Sequence, residues 1–518
     1  MTKNIYMNKN INCNKDGSLN LKRNRKSYSP IEISDDELDL SSEKVKKRII
    51  TDESSVPLYM NQSKYEKVSS KKLEFKSLFS VYSENHPKDT SWVIKDALIA
   101  SYIIEIDWIV SELKSEIGGN LMENLLFISH DENNQGFKVS PNVDYPISRK
   151  INAYFPRMKV PFGVFHSKFM LIHFENPTNI SKSFIRFVIT SANFIESDWK
   201  KKSQSIWVQD FPKENTSKEN RCEFKCYLIE FVQSVISDIT LNKTWTEIIG
   251  RFDFNNATAK LIGSIPGHFN AQKERPKWGH LRVKSVLEEI EKKKINKVSE
   301  EYNTERLIMQ FSSIGRISEK WFFEEFCFSL LKSIKNHPQI IFPTVEQVVN
   351  SFEGINGGAS LPTKKMYIGK PWIRGLLHRW GNGDFDNPLD RLIPHLKTFL
   401  NYIIDNNGIP QIIWIIQGSH NLSNAAWGQL QKKTQFCIRN YELGVLIHKD
   451  MFDHLNPCCV CENGFKYPRF TWWPKDGNID TIKNKRQLSL KISLPFSLPP
   501  KPYSTEDYPW NIELLIDS

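Results

Sequence analysis

Phe165-His166-Ser167-Lys168, followed by Thr190-Ser191-Ala192-Asn193-Phe194, and Pro394-His395-Leu396-Lys397, followed by Gly418-Ser419-His420-Asn421-Leu422, are two copies of one pattern. Each reads His-x-Lys, an apolar strand-like run, then Ser-x-Asn. The spacing repeats as well: Asn193 follows Lys168 by 25 positions, Asn421 follows Lys397 by 24, and a Trp follows each Asn by six (Trp199 and Trp427). A single His-x-Lys carries no information. Two, with matching Ser-x-Asn and Trp offsets, describe two similar half-domains whose repeated residues converge on one shared site.

Those residue types belong together in phosphodiester chemistry. A phosphodiester is anionic, and Lys ammoniums with Asn amides can hold both that charge and the extra charge of a pentacoordinate transition state. Two His can divide the remaining work: a neutral imidazole attacks phosphorus and a protonated one donates to the leaving oxygen. An unperturbed pKa of about 6.5 makes either state accessible. Because the two copies are alike, the pattern by itself does not say which His does which. No metal or other cofactor is expected.

The chain has 518 residues, a net charge of +11 and a pI near 9.0, a balance that suits a polyanionic partner. The polar amino terminus, Met1 to Gly17, has no apolar signal-peptide core, so the eight Cys are expected to be reduced thiols. No apolar run approaches bilayer length, and a soluble protein without membrane contact is expected. Residues 1–74 are rich in Asn, Lys and Ser without sustained helix or strand period, which reads as a disordered tail. Its basic clusters, Lys22-Arg23-Asn24-Arg25-Lys26 and Lys44-Val45-Lys46-Lys47-Arg48, read as nuclear import signals and place the protein in the nucleus.

Aromatic and β-branched residues begin near Leu73, giving a first half over 75–266 and a second over 267–518. Strands are expected over the Tyr102 to Trp108 run, with a helix after it, and at Leu125 to Ile128, Phe169 to Phe174 and Arg186 to Thr190. Cys222 to Ile239 and Lys320 to Lys335 read as helices, and Gln339 to Phe342, Ile412 to Gln417 and Leu443 to Ile447 as strands. The proline-rich stretch from Pro495 to Pro509 is expected to wrap the surface. This alternation places the fold in the α/β class, with motif residues at strand ends.

The paired motifs resemble the phospholipase D superfamily. The resemblance is nearer to the tyrosyl-DNA phosphodiesterase 1 family, because neither Lys168 nor Lys397 is followed by the Asp of phospholipase D proper. Pro161-Phe162-Gly163, Gln310-Phe311-Ser312-Ser313-Ile314-Gly315, Gly357-Gly358-Ala359-Ser360-Leu361-Pro362 and Tyr441-Glu442-Leu443-Gly444-Val445 also match, so the likeness spans roughly 75–518. It implies two α/β/α sandwiches related by a pseudo-two-fold axis. It also implies a monomeric DNA-repair hydrolase that frees DNA 3′ phosphates from tyrosine, as in stalled topoisomerase I, or from other adducts through a covalent phosphohistidine.

By that resemblance His166 is the nucleophile and His395 the general acid, then base. Lys168, Lys397, Asn193 and Asn421 hold phosphate oxygens, and Gln204 and Glu442 orient the two His. Phe162 would stack on a base and Ser312 and Ser313 would meet DNA phosphates, with Arg316 adding charge. Tyr102, Pro362 and Trp510 would lie on the peptide side. His420 stands where the family more usually has Ala. Cys458-Cys459-x-Cys461 with His454 is too sparse for a zinc site. Ile31-Glu32-Ile33-Ser34-Asp35-Asp36-Glu37 resembles a SUMO-interacting motif, making SUMO or a repair factor a partner of the tail. Other superfamily hydrolases, nuclease or phospholipase, and a non-catalytic DNA-end binder are the alternatives.

Overall fold

The computed structural model describes residues 57–516, except for internal segments of which 293–304, 453–468 and 473–488 are the longest, together with two strands in the tail. In the 1–46 unit those strands, Lys9–Cys13 and Leu19–Arg23, form an antiparallel ladder with Lys9 opposite Arg23. The tail was expected to hold no strand. Five residues on each side are too few for a period to stand out from the polar background. Residues 24–26, 31–37, 44–48 and 454–461, which carry most of the import signals, the SUMO-like stretch and the Cys group, lie outside the described residues.

The unit from 47 onward holds two sheets of one design. In each, the strand after His-x-Lys (Phe169–Glu175; Thr398–Ile404) runs antiparallel to the strand that ends in Ser-x-Asn (Phe184–Thr190; Pro410–Gly418). On its other side lies the antiparallel opening strand of the half (Val93–Ser101; Arg306–Gln310). Two further strands continue parallel to the opening one: Met122–Ser129 and Ser148–Tyr154 in the first half, Gln339–Ile341 and Leu377–His378 in the second. Past the Ser-x-Asn strand come Ser205–Pro212 and Glu442–His448, then Leu58–Asn61 and Lys260–Ser264. Order and polarity agree throughout, so the sequence repeat is a structural repeat.

Three expectations need correction. Leu58–Asn61 and Lys72–Leu73 belong to the first sheet, so the first half opens by residue 58 and not at 75. Lys260–Ser264 pairs with Glu442–His448, so the second half opens by 260 and not at 267. Both strands are five residues or fewer, and only their partners define them. Of the strand expected over Tyr102 to Trp108 only Ile104–Glu105 forms, after the long strand Val93–Ser101 has ended, and Ile106 opens a helix, Ile106–Ile117. Ile109, Val110, Leu113 and Ile117 are buried along it against the sheet, and that packing outweighs the β preference of the isoleucines.

Both faces of the first sheet are covered, which explains the unbroken apolar run of Phe169–Glu175. Phe169 and Leu171 join one core and Met170 and Ile172 the other. The helix Glu223–Val235 buries Phe224, Tyr227, Leu228, Phe231, Val232 and Val235, the i, i+3, i+4, i+7 stripe of an amphipathic helix. Its Phe231 ring lies 5.9 Å from Phe169 of the first half and 6.4 Å from Tyr441 of the second. One core therefore spans the junction, and Phe231→Ala would cost about 3–5 kcal/mol.

Candidate active site

Short backbone ladders across the junction place the two His. Lys202–Ser203 runs parallel to Ile393–Pro394, and the backbone N–H groups of His395 and Leu396 donate to the Ser203 carbonyl at 3.1 and 3.0 Å. The pseudo-equivalent bridge joins Phe165 to Tyr441, with the His166 N–H donating to the Tyr441 carbonyl at 2.9 Å. The residue after each bridge then orients the other half's imidazole. Glu442 Oε2 lies 2.9 Å from His166 Nδ1, and the Gln204 amide lies 3.1 Å from His395 Nδ1.

Both orienting groups are themselves held. Glu442 accepts from Ser419 Oγ at 2.6 Å and Asn440 Nδ2 at 3.1 Å. Although burial opposes its charge, His166 beside it and these donors hold the carboxyl down at about 2, so it is ionised throughout the working range. Gln204 receives the Ser191 hydroxyl on Oε1 at 2.7 Å. Its backbone N–H donates to Asn61 Oδ1 at 2.8 Å, while Asn61 Nδ2 donates to the Trp199 and Lys202 carbonyls.

The lysines repeat one geometry. Lys168 Nζ donates to the His166 carbonyl at 2.7 Å, and Lys397 Nζ donates to the His395 carbonyl. Both are buried, and each feels the other's partners. Burial pushes Lys168 down to about 8 against the pull of Glu442 and Asp198, and pushes Lys397 well below its usual range with Lys168 adding to the effect. Burial also lowers both His, His166 against the opposing Glu442 and His395 with Lys397 reinforcing it. A site whose cations are all disfavoured by desolvation gains most from an entering anion.

The two Asn differ. Asn421 Oδ1 accepts from Ser312 N, Ser312 Oγ and Ser313 N at 3.1–3.2 Å, which turns its NH2 group away from them. Asn193 takes the Ser101 hydroxyl on Oδ1 at 3.3 Å, and its backbone N and Nδ2 both lie 2.9 Å from Asp198 Oδ2.

This double constellation coincides with a match along the chain, since the sequence profile described as tyrosyl-DNA phosphodiesterase covers residues 67–504. The chain belongs to the tyrosyl-DNA phosphodiesterase family. It is 31% identical over 459 residues to tyrosyl-DNA phosphodiesterase 1 of Arabidopsis thaliana, covering 80% of this chain and 69% of that protein. To tyrosyl-DNA phosphodiesterase 1 of Drosophila melanogaster it is 25% identical over 451 residues, covering 82% and 68%. The fold matches the crystal structure of yeast tyrosyl-DNA phosphodiesterase with a TM-score of 0.63 over 88% of this chain and 99% of that one, at 17% identity.

The remaining site residues separate by exposure in this tyrosyl-DNA phosphodiesterase. Tyr102 stacks on His130 at 5.4 Å and lies 5.8 Å from the His166 ring, with Lys168 Nζ 5.7 Å from its own centroid, so it walls the site. Pro362 is exposed. Trp510 is fully buried, donates its indole N–H to the Gly358 carbonyl at 3.1 Å, and fills the space a side chain at Gly358 would need. Its ring is core and not a contact surface. Ser312 is buried with its hydroxyl committed to Asn421, so it positions that amide. Ser313 is half-buried.

Phe162 is 89% exposed and has φ 61°. With Pro161 before it and the Gly163 N–H donating to the Val160 carbonyl at 3.3 Å, it occupies a turn position that ordinarily calls for Gly. Gly163 is required beside it, because a Cβ there would meet the Arg439 carbonyl at 2.1 Å. His420 is buried, stacks on Trp427 at 4.3 Å, and has its Nε2 3.4 Å from Ser264 Oγ. Burial holds it down at about 4, which keeps it neutral.

Asp198, Lys202 and Asn61 escaped the sequence reading. Asp198 lies 3.5 Å from His395 Nδ1 and 3.1 Å from Lys202 Nζ. A comparison of the two copies contains the signal: five positions after Asn193 stands Asp198, and five after Asn421 stands Ala426.

Proposed function

We propose that this DNA-repair phosphodiesterase hydrolyses the bond between a DNA 3′ phosphate and a tyrosine, as in a topoisomerase I remnant, or another 3′ adduct, through a covalent phosphohistidine. His166 Nε2 attacks phosphorus, and the tyrosine oxygen leaves with a proton from His395. Water then attacks the phosphohistidine while His395 takes its proton, freeing the 3′ phosphate and His166. Lys168, Lys397, Asn193 and Asn421 hold the non-bridging oxygens through both steps.

One observation carries the assignment of roles: a carboxylate hydrogen-bonds one His, whereas a neutral amide hydrogen-bonds the other and Asp198 reaches that one only by charge. Glu442 fixes the His166 proton on Nδ1, leaving an Nε2 lone pair, and stabilises the positive ring formed by attack. Gln204 leaves His395 free to change protonation as an acid and then a base must.

The scissile strand is read along Asn421 and Ser313 toward Arg316, with Phe162 stacking on a base, since every base offers a face to an aromatic ring. An aromatic residue held in a left-handed turn and exposed to solvent has no packing role that would justify its strain. Tyr102 and Pro362 take the peptide side. A monomer acting in the nucleus, with import through the clusters Lys22 to Lys26 and Lys44 to Arg48 and SUMO or repair-factor contact through the N-terminal tail, completes the reading. No described helix is long and apolar enough to cross a membrane.

The test is a 3′-phosphotyrosyl oligonucleotide offered beside an unmodified strand and phosphatidylcholine vesicles. Release of tyrosine from the first alone supports the reading. Cleavage confined to internal DNA bonds or lipid would replace it with a nuclease or phospholipase.

A further inference from the structure

Positive charge lies on both sides of Phe162, and only one side is accounted for by the scissile strand. On the second-half side a cleft of about 670 Å³ is lined by Arg316, Lys370 and Arg439 with Ser423 and Asn424. Gly163 rests on the carbonyl of Arg439, so one residue lining this cleft lies against the residue after Phe162. On the other side the chain runs back from Phe162 through Lys159 and Arg157 to the edge strand Ser148–Tyr154. From 148 to 162 it carries Arg149, Lys150, Arg157 and Lys159 and no acidic residue.

Edge strands commonly carry charge to block pairing with other chains, which accounts for Arg149 and Lys150. Arg149 is moreover 3.8 Å from Glu123. Arg157 and Lys159 lie beyond the strand, are exposed, and enter none of the ion pairs found among the described residues. The segment that bears them is anchored at both ends. Tyr154 Oη lies 2.7 Å from Ser237 Oγ and accepts the Ser237 N–H at 2.7 Å, and the Val160 to Gly163 turn closes the other end. Phe155 is exposed within it.

A single strand needs one track of cations, whereas a duplex end presents two backbones. Three and five residues of extended chain reach at most about 10 and 17 Å, so Lys159 and Arg157 lie within that distance of Phe162. Groove widths of about 6 and 12 Å in B-form DNA separate two backbones by comparable amounts. We propose that the Phe155 to Val160 arm, through Arg157 and Lys159, carries phosphates of the complementary strand when the substrate's 3′ end lies in a duplex. This rests on the reading of the site as one for DNA 3′ ends.

The test compares the unaltered chain with the double variant Arg157→Gln, Lys159→Gln on one 3′-phosphotyrosyl strand, single or annealed to a complement. For the duplex, KM should rise roughly 2- to 30-fold, as two screened surface pairs would give. The slope of log KM against log salt should fall by about 1.8. On the single strand, kcat and KM should be unchanged, which also shows that the variant is folded. Equal losses on both substrates, or none on either, overturn the proposal while leaving the 3′-end reading intact. Failure of the unaltered chain to release tyrosine from the single strand overturns the reading itself, and the proposal with it.

Discussion

Asp198 lies 3.5 Å from His395, inside Coulomb reach but outside hydrogen-bond distance, because its oxygens are committed to Asn193 and Lys202. It therefore acts on His395 by charge and on Asn193 by contact. Asp198→Asn should lower kcat by roughly 5- to 150-fold, the equivalent of about 1–3 kcal/mol for a charged hydrogen bond lost. Asp198→Ala should also lower stability by about 3–5 kcal/mol, since Lys202 would stay buried with its nearest carboxylate, Glu353, 4.0 Å away. Steady-state kinetics and urea denaturation separate the two effects. Unaltered kcat in the Asn variant would leave Asp198 a purely structural residue.

The two His should fail differently. His166→Ala should give neither product nor adduct. His395→Ala should slow the water step more than the first, by about 10² to 10⁴-fold, because a phenol of pKa about 10 leaves with little help whereas water needs a base. A covalent enzyme–DNA band should build up on a denaturing gel with the His395 variant. Its appearance with the His166 variant would reverse the assignment.

With Lys168 at about 8 and Lys397 well below its usual range, the clamp loses charge on the alkaline side. A lysine is charged below its pKa, so kcat/KM, which reports the free enzyme, should fall as pH rises through about 8. Lys168→Arg should move that limb upward, since Arg keeps its proton. A profile flat to pH 9.5 would contradict the burial argument.

Phe162→Gly removes a ring and yet should not destabilise the protein. The left-handed conformation costs a non-glycine residue about 1–2 kcal/mol, and Gly adopts it freely. The urea midpoint should hold or rise. KM for the phosphotyrosyl strand should meanwhile increase about 5- to 150-fold, as expected from about 1–3 kcal/mol of stacking per base. A lowered midpoint with unchanged KM would mean that the ring serves packing.

Deletion of residues 1–56 should leave kcat on a short oligonucleotide near that of the full chain, whereas deletion of 1–74 should lower it sharply. The longer deletion removes Leu58–Asn61 and, with it, the Asn61 amide that seats Gln204. Equal activity of the two truncations would show that Asn61 is dispensable. Import through the tail would be measured by imaging the tagged 57–518 chain.

The His, Lys and Asn sets were legible because both copies carry the same residues at offsets that differ by no more than one position. The strands around them were legible because four or more apolar residues stand between turn signals. What was hidden depends on partners. Leu58–Asn61 and Lys260–Ser264 are strands only by virtue of their neighbours, and Ile106–Ile117 is a helix because of what its isoleucines pack against. Asp198 does not belong to the residues the copies share; it marks where they differ, with Ala426 at the matching position. That Glu442 serves His166 and Gln204 serves His395 follows from a crossing at the junction that no local pattern encodes.

That crossing has a consequence during synthesis. Glu442 lies 276 positions after His166. At about 5–20 residues per second, His166 is made roughly 14–55 s before the carboxylate that prepares its imidazole. A nascent chain, or one truncated between the halves, thus carries His166 without its orienting carboxylate, and Lys168 and Asn193 without Lys397 and Asn421. On the proposed roles, reactivity toward DNA ends requires the docking of Tyr441 and Glu442 beside Phe165 and His166.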